Sequence, residues 1–129
     1  MKYLLDTSAV VNFLRGKQSI NESVIKAGAA VSIITRAELF YGALKSKQPK
    51  RNLDLVNGFL EELGINTVNL SEGIVLTYAR LKTQLEKQGR RLDEFDLLIA
   101  ASALENNFTL VTDNAKHFSR IKDLRIFNG

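Results

Sequence analysis

The chain has 129 residues, 45% of them hydrophobic, enough to bury a core as a single domain over residues 1–129 without covalent staples. It has no cysteine, which excludes disulfides and thiolate metal sites, and one histidine, His117, which excludes a histidine-rich metal cage. Eighteen Lys and Arg against 14 Asp and Glu give a formal charge of +4, a balance that favours polyanionic partners and becomes more basic elsewhere if several acids gather in one site.

No apolar run reaches the length of a membrane span, and the N-terminus lacks a signal-peptide pattern, so a soluble cytoplasmic protein is expected. Tyr3 to Leu5 form a short apolar strand that stops at Asp6, with Thr7 and Ser8 offering hydroxyls to cap the next helix. Val10, Val11 and Leu14 have helical spacing as far as Arg15 and Gly16, and a small helix follows near Asn21–Ala27. Ala30 to Ile34 predict a second buried strand, and Thr35 starts a helix lined by Leu39, Phe40, Ala43 and Leu44. A basic linker leads to Pro49, which suits the first turn of a helix carrying Leu53, Val56, Phe59, Leu60 and Leu63 and ending at Gly64.

Ile65 to Leu70 predict a third strand. Ser71 caps a long helix with Ile74, Tyr78, Leu81 and Leu85 on one face, closed by Gly89. After Arg90 and Arg91 come Asp93 and Asp96, then a stretch from Leu97 to Leu104 without any charge, which predicts a helix buried nearly all round. Residues 108–113 form a fourth strand that again stops on a carboxylate, Asp113. Ala115–Phe118 suit a helical turn, with His117 expected to be exposed there, and Leu124–Phe127 a short last strand. Alternating strands and helices predict an α/β sandwich with a mainly parallel sheet.

Four acids occupy matching punctuation points. Asp6 and Asp113 end strands, Glu38 sits just after the second strand, and Asp96 introduces the most apolar helix. In a parallel sheet with right-handed crossovers, strand ends and the helix starts that follow share one rim. Capping offers a competing role: Thr35-x-x-Glu38 matches a capping box, and Asp93-x-x-Asp96 is a weaker version of it. Gathered in a cleft, the four acids would repel one another and call for a cation. Hard oxygen donors without Cys or a His cage select Mg²⁺ or Mn²⁺, ions suited to displacement at phosphorus. Thr7, Ser8, Asn12, Thr112 and Asn114 stand beside the acids and could orient them.

The stretches "YLLDTSAVVNFL", "SIITRAELFYGA", "RRLDEFDLLIAASAL" and "TLVTDNAKHF" together resemble the PIN domain, specifically the VapC-type toxins of toxin–antitoxin pairs, over nearly the full length. The resemblance implies a three-layer α/β/α sandwich and an Mg²⁺- or Mn²⁺-dependent endoribonuclease. It maps the acidic residues onto Asp6, Glu38, Asp96 and Asp113, the polar position of the first helix onto Asn12, and the hydroxyl before the last acid onto Thr112, with Thr7 alongside. Asp93 and Glu94 depart from the small or apolar residues common in the family.

The resemblance also implies an RNA substrate, a cognate antitoxin and a homodimer. Leu39, Phe40, Leu44, Leu53, Val56, Phe59 and Leu60 exceed the apolar need of one side of two helices and point the same way. Lys45, Lys47, Lys50, Arg51, Arg90 and Arg91 are candidates for phosphate contacts. Two rivals remain. An aspartyl-phosphate phosphatase wants a second acid two residues after the first, where this chain has Ser8. A catalytically inactive PIN-like module binding RNA or protein would have no evident reason to hold four acids together.

Overall fold

Side chains alternate across the pleat of a strand, so each strand of a doubly covered sheet feeds two separate cores. The computed structural model, which describes residues 2–128, is built on this alternation. Strands β1 (Tyr3–Leu5), β2 (Ala29–Ser32), β3 (Asn66–Val68) and β4 (Thr109–Val111) form one sheet in the order β3-β2-β1-β4. Every pairing is parallel, with Leu4 opposite Ala30 and Leu110, and Leu5 opposite Val31 and Val111.

Leu4, Ala30 and Leu110 turn to one face, where they meet α5 (Glu72–Lys87), α6 (Glu94–Glu105) and the short α7 (Ala115–Phe118). Leu5 and Val31 turn to the other face, onto α1 (Thr7–Leu14), α2 (Glu22–Ala27), α3 (Ile33–Leu44) and α4 (Pro49–Glu62). The result is the expected three-layer α/β/α sandwich. The charge-free run behaves as its composition requires: Leu97, Ile99 and Ala100 to Ala103 of α6 are all buried.

Strand order carries the functional consequence. The chain adds β2 and β3 outward on one side of β1, then returns to place β4 on the other side. The β1–β4 boundary is a topological switch point, where a crevice opens beyond the carboxyl ends of the strands. Asp6 and Thr112 are the first residues past those ends.

Several boundaries differ from the sequence expectation. The second strand ends at Ser32, which caps α3 by accepting the Ile34 N–H at 3.0 Å, so the helix begins at Ile33 rather than Thr35. Apolar Ile33 and Ile34 extend a strand pattern, but a buried serine hydroxyl satisfies an orphan helical donor and stops the strand first. The last strand shrinks to one parallel bridge between Leu110 and Ile126.

Of the apolar residues expected to be in excess, Leu39, Val56, Phe59 and Leu60 are buried in the core. Leu44 stays exposed, together with Tyr41 and Leu55. Among the described residues no helix is long and apolar enough to cross a membrane.

Leu110 is 0% exposed and sits in β4, the strand that completes the switch point. Leu110→Ala should destabilise the fold by about 2–5 kcal/mol, the cost of a cavity in a close-packed core, read as a lowered midpoint in urea unfolding.

Candidate active site

Asp6 is where the sheet and the site meet. Its extended backbone (φ −83°, ψ 174°) ends β1 and begins α1, and its N–H donates to Val111 O at 3.0 Å. The side chain itself is the helix cap: Oδ1 accepts the Ala9 N–H at 2.9 Å and the Ser8 hydroxyl at 2.7 Å. Thr7 and Ser8, expected to cap, are instead the first helical residues, because the shorter reach from Asp6 satisfies the same N–H group. Oδ2 accepts the Thr112 hydroxyl at 2.5 Å, tying β1 to the end of β4. Asp6 as a whole residue is only 3% exposed.

From α1 the network crosses to α3. Thr7 Oγ1 donates to Glu38 Oε1 at 2.6 Å and lies 3.2 Å from the buried Thr35 hydroxyl. Glu38 stands in the second turn of α3, since that helix starts at Ile33. The capping-box role is therefore overturned: Thr35 is inside the helix, and Glu38 faces Thr7 across the gap between helices.

At α6 the cap is Asp93, which accepts the Phe95 N–H at 3.2 Å and leaves Asp96 in the first turn. Asp96 Oδ2 does not turn back to the backbone. It meets Nε2 of His117 at 3.0 Å. His117, expected to be exposed, is part-buried in α7 because its neighbour Phe118 is fully buried and draws that turn against α6. Glu94, next to the cap, is gripped by the Tyr78 hydroxyl and the Lys82 ammonium of α5, which fastens the first turn of α6 in place.

Electrostatics distinguish these acids from ordinary caps. Burial, the leading cause, raises the Asp6 carboxyl above the usual range against the pull of its hydrogen bonds, and the charge of Asp96 adds to the rise. Glu38 is raised by burial first, then by Asp96, Asp93 and Asp6, against the Thr7 bond. Asp96 is raised by burial and by Asp93, while His117 pulls the other way. Asp6, Glu38, Asp96 and Asp93 therefore share one field.

Asp113 stands apart from that group. Its N–H donates to Ser8 Oγ at 3.1 Å, but its carboxylate turns outward to the Asn12 amide. The Gln18 amide, with its NH₂ facing the acid, donates to Oδ1 at 2.6 Å and Oδ2 at 3.1 Å.

Among the described residues no three acid or imidazole groups converge as a finished metal shell. The donor chemistry nevertheless fits a hard divalent ion, because Asp6, Glu38 and Asp96 are partly or wholly buried oxygens that repel one another. The partners that occupy them are mostly rotatable hydroxyls. Shallow basic flanks complete the site: Arg15 and Lys45 line the groove that contains Glu38, and Arg91 shares a pocket with Asp93.

The PIN domain family model matches residues 3–124. The chain belongs to the PIN domain family. This PIN domain is 35% identical to Ribonuclease VapC2 of Haemophilus influenzae, over 99% of this chain and 98% of that protein. It is 30% identical to the tRNA(fMet)-specific endonuclease VapC of Shigella flexneri, over 97% and 96% of the two chains. The crystal structure of VapBC2 from Rickettsia felis bound to a DNA fragment from its promoter superposes with a TM-score of 0.88 at 33% identity, covering 100% of this chain and 99% of that one. As a PIN domain with VapC relatives, the chain is a nuclease.

Sequence reasoning missed the Asp96 contact of His117 and the grip on Glu94 in this PIN domain. The signal for the first was Phe118, an apolar residue that anchors an otherwise polar turn. No local pattern announced the second, since Tyr78 and Lys82 meet Glu94 only through the packing of α5 on α6.

A raised carboxyl pKa means that the folded chain holds the proton more tightly than the unfolded one. The stability it contributes is full below the ordinary value, 4.5 for Glu38, and is lost as pH rises through the raised value. In EDTA, the contribution of Glu38 to the melting temperature should be lost as pH climbs from 4.5 through the raised value, and Glu38→Gln should flatten part of that fall. Thermal melts across pH check this; identical slopes for the two proteins would deny the repulsion.

Proposed function

We propose that this chain is the toxin of a toxin–antitoxin pair, a cytoplasmic endoribonuclease formed by one PIN domain that hydrolyses RNA phosphodiester bonds with Mg²⁺ or Mn²⁺. The observation that carries the reading is the buried Asp6 carboxylate at the β1–β4 switch point, sharing one field with Glu38 and Asp96. Asp6, Glu38 and Asp96 would hold the ion. Asp113, with its carboxylate on Asn12 and Gln18, would assist from the rim.

Such an ion supplies charge neutralisation at the scissile phosphate and acidifies the attacking water. The chain's own residues do the rest. Ser8 and Thr112 fix both oxygens of Asp6, Thr7 aims Glu38, and His117 aims Asp96. Arg15, Lys45, Arg90 and Arg91 would draw the RNA backbone toward a rim whose own charge is negative. Lys47 lies on the exposed turn between α3 and α4, and Lys50 and Arg51 lie in the exposed first turn of α4, where they would meet a long substrate.

The VapBC2 structure pairs a relative of this chain with its antitoxin, which supports a cognate antitoxin here. Exposed Tyr41, Leu44 and Leu55 give apolar surface to a protein partner, and a homodimer would cover further surface of this kind. The phosphatase alternative loses support because both oxygens of Asp6 are engaged by hydroxyls and a backbone N–H. An inactive binding module would gain nothing from burying mutually repelling acids.

With Mg²⁺ or Mn²⁺, the purified protein should cut a folded RNA, and Asp6→Asn should lower the rate by at least about 100-fold. Gel-resolved cleavage measures it, and undiminished cutting by the variant in excess EDTA would sink the mechanism. Metal binding is checked separately by melting. Mn²⁺ at about 100 times its dissociation constant should stabilise the wild type by about 2.7 kcal/mol through mass action. Asp96→Asn should lose most of that gain while matching or exceeding the wild type in EDTA.

A further inference from the structure

The cleft on the outer side of Asp113 adjoins the acid site and shares Thr112 and Asp113 with it, but its other lining residues have no part in the chemistry described above. It encloses about 580 Å³, inside the span of about 300–1,000 Å³ typical of small-ligand sites. One wall is the segment joining α1 to α2, which presents Lys17, Gln18 and Asn21; Val111 and Phe127 line it on the apolar side, and Asp113 stands at its junction with the acid site. Thus a cation, two carboxamides and an aromatic ring meet within one cleft next to the candidate reaction centre.

The geometry points to a binding site for a single unstacked nucleotide of the RNA substrate, next to the bond that is cut. Sequence-specific readers of RNA recognise splayed bases by placing the ring against an apolar or aromatic surface and hydrogen-bonding its edge. Phe127 is held edge-on by Tyr3, with ring centroids 5.4 Å apart and planes at 81°, and packs against the core beside β1, which fixes its ring and leaves it half-buried at the cleft wall. Asn21 Oδ1 caps α2 by accepting the Ser23 N–H at 2.8 Å, so this amide is fixed in place while its NH₂ remains a donor. The Gln18 amide is oriented by its two bonds to Asp113, leaving its carbonyl oxygen as an acceptor. A fixed donor and a fixed acceptor distinguish one base edge from another, and Lys17 supplies the charge for a flanking phosphate.

Position supports the same occupant. Asp113 belongs to both places: its N–H bonds to Ser8, whose hydroxyl bonds to Asp6, while its carboxylate orients Gln18. A nucleotide seated in the cleft would lie one short relay from the buried carboxylate. The cleft would then select which phosphodiester is presented to the acids. This inference rests on the ribonuclease reading, and its test does not use cleavage.

The four nucleoside 5′-monophosphates and ribose 5-phosphate are titrated separately into the ¹⁵N-labelled protein in EDTA, each to about 10 mM, a range that captures millimolar affinity. At least one nucleotide should shift the side-chain amides of Gln18 and Asn21 and the backbone signals of Val111 and Phe127, with the four bases differing in affinity. Gln18→Ala, on an exposed segment, should weaken the tightest of them by about threefold or more, the effect of one hydrogen bond. Equal shifts from ribose 5-phosphate would reduce the cleft to an anion site and overturn the proposal. So would shifts that fall elsewhere or are absent. An RNA cleavage assay on the same wild-type sample reports on the ribonuclease reading alone: cutting without nucleotide shifts defeats only the cleft, and nucleotide shifts without cutting defeat only the nuclease.

Discussion

The arrangement depends on a carboxylate held at the end of a buried strand. Placing Asp6 where it is 3% exposed carries a desolvation penalty, and the structure offsets it with an N–H from Ala9 and hydroxyls from Ser8 and Thr112. Those same bonds terminate β1, start α1 and join β1 to β4. Cap and candidate ligand are one side chain, so the fold cannot shed the charge without loosening the switch point. Glu38 and Asp96 are then arranged around this fixed point by two different helices, α3 and α6.

Hydroxyl groups do most of the positioning. Thr7, Ser8 and Thr112 each place an oxygen against an acid, and each belongs to the first turn of a helix or the residue just past a strand. A short β-branched or small side chain has few rotamers, so it fixes a carboxylate at low entropic cost. A Lys or Arg in these places would neutralise the acids and remove their hold on a cation. The basic residues instead stand at the flanks, where they add attraction for a polyanion without filling the centre.

The layered architecture was legible because its causes are local. Short apolar runs that stop at or just before Asp6 and Asp113 mark strands, and the charge-free run from Leu97 to Leu104 marks a buried helix. Asp6, Glu38 and Asp96 were legible as a group because parallel topology sends strand ends and helix starts to one rim. What the sequence concealed depended on competition or on distance. Ser32 stopped the second strand two residues before the apolar pattern ran out, which moved Glu38 from a cap to the second turn. His117 came to Asp96 through the burial of Phe118, and the divergence of Asp113 toward Asn12 and Gln18 is a matter of side-chain direction that spacing does not encode.

The single parallel bridge from Ile126 to Leu110 has a consequence for how the molecule avoids its own kind. A sheet of four strands ends in two rows of unpaired backbone groups, and β4 is one of those edges. The Leu110 N–H donates to Arg125 O and its carbonyl accepts the Phe127 N–H, both at 2.8 Å, so the middle of that edge is already taken. At the opposite edge β3 is three residues long and begins with exposed Asn66. Brevity on one side and a tethered tail on the other leave little template for strand addition by another chain, a common route from a soluble sheet protein to an aggregate. Shortening the chain ahead of Arg125 would thus expose a hydrogen-bonding edge next to the candidate active site before it removed any part of the acid cluster.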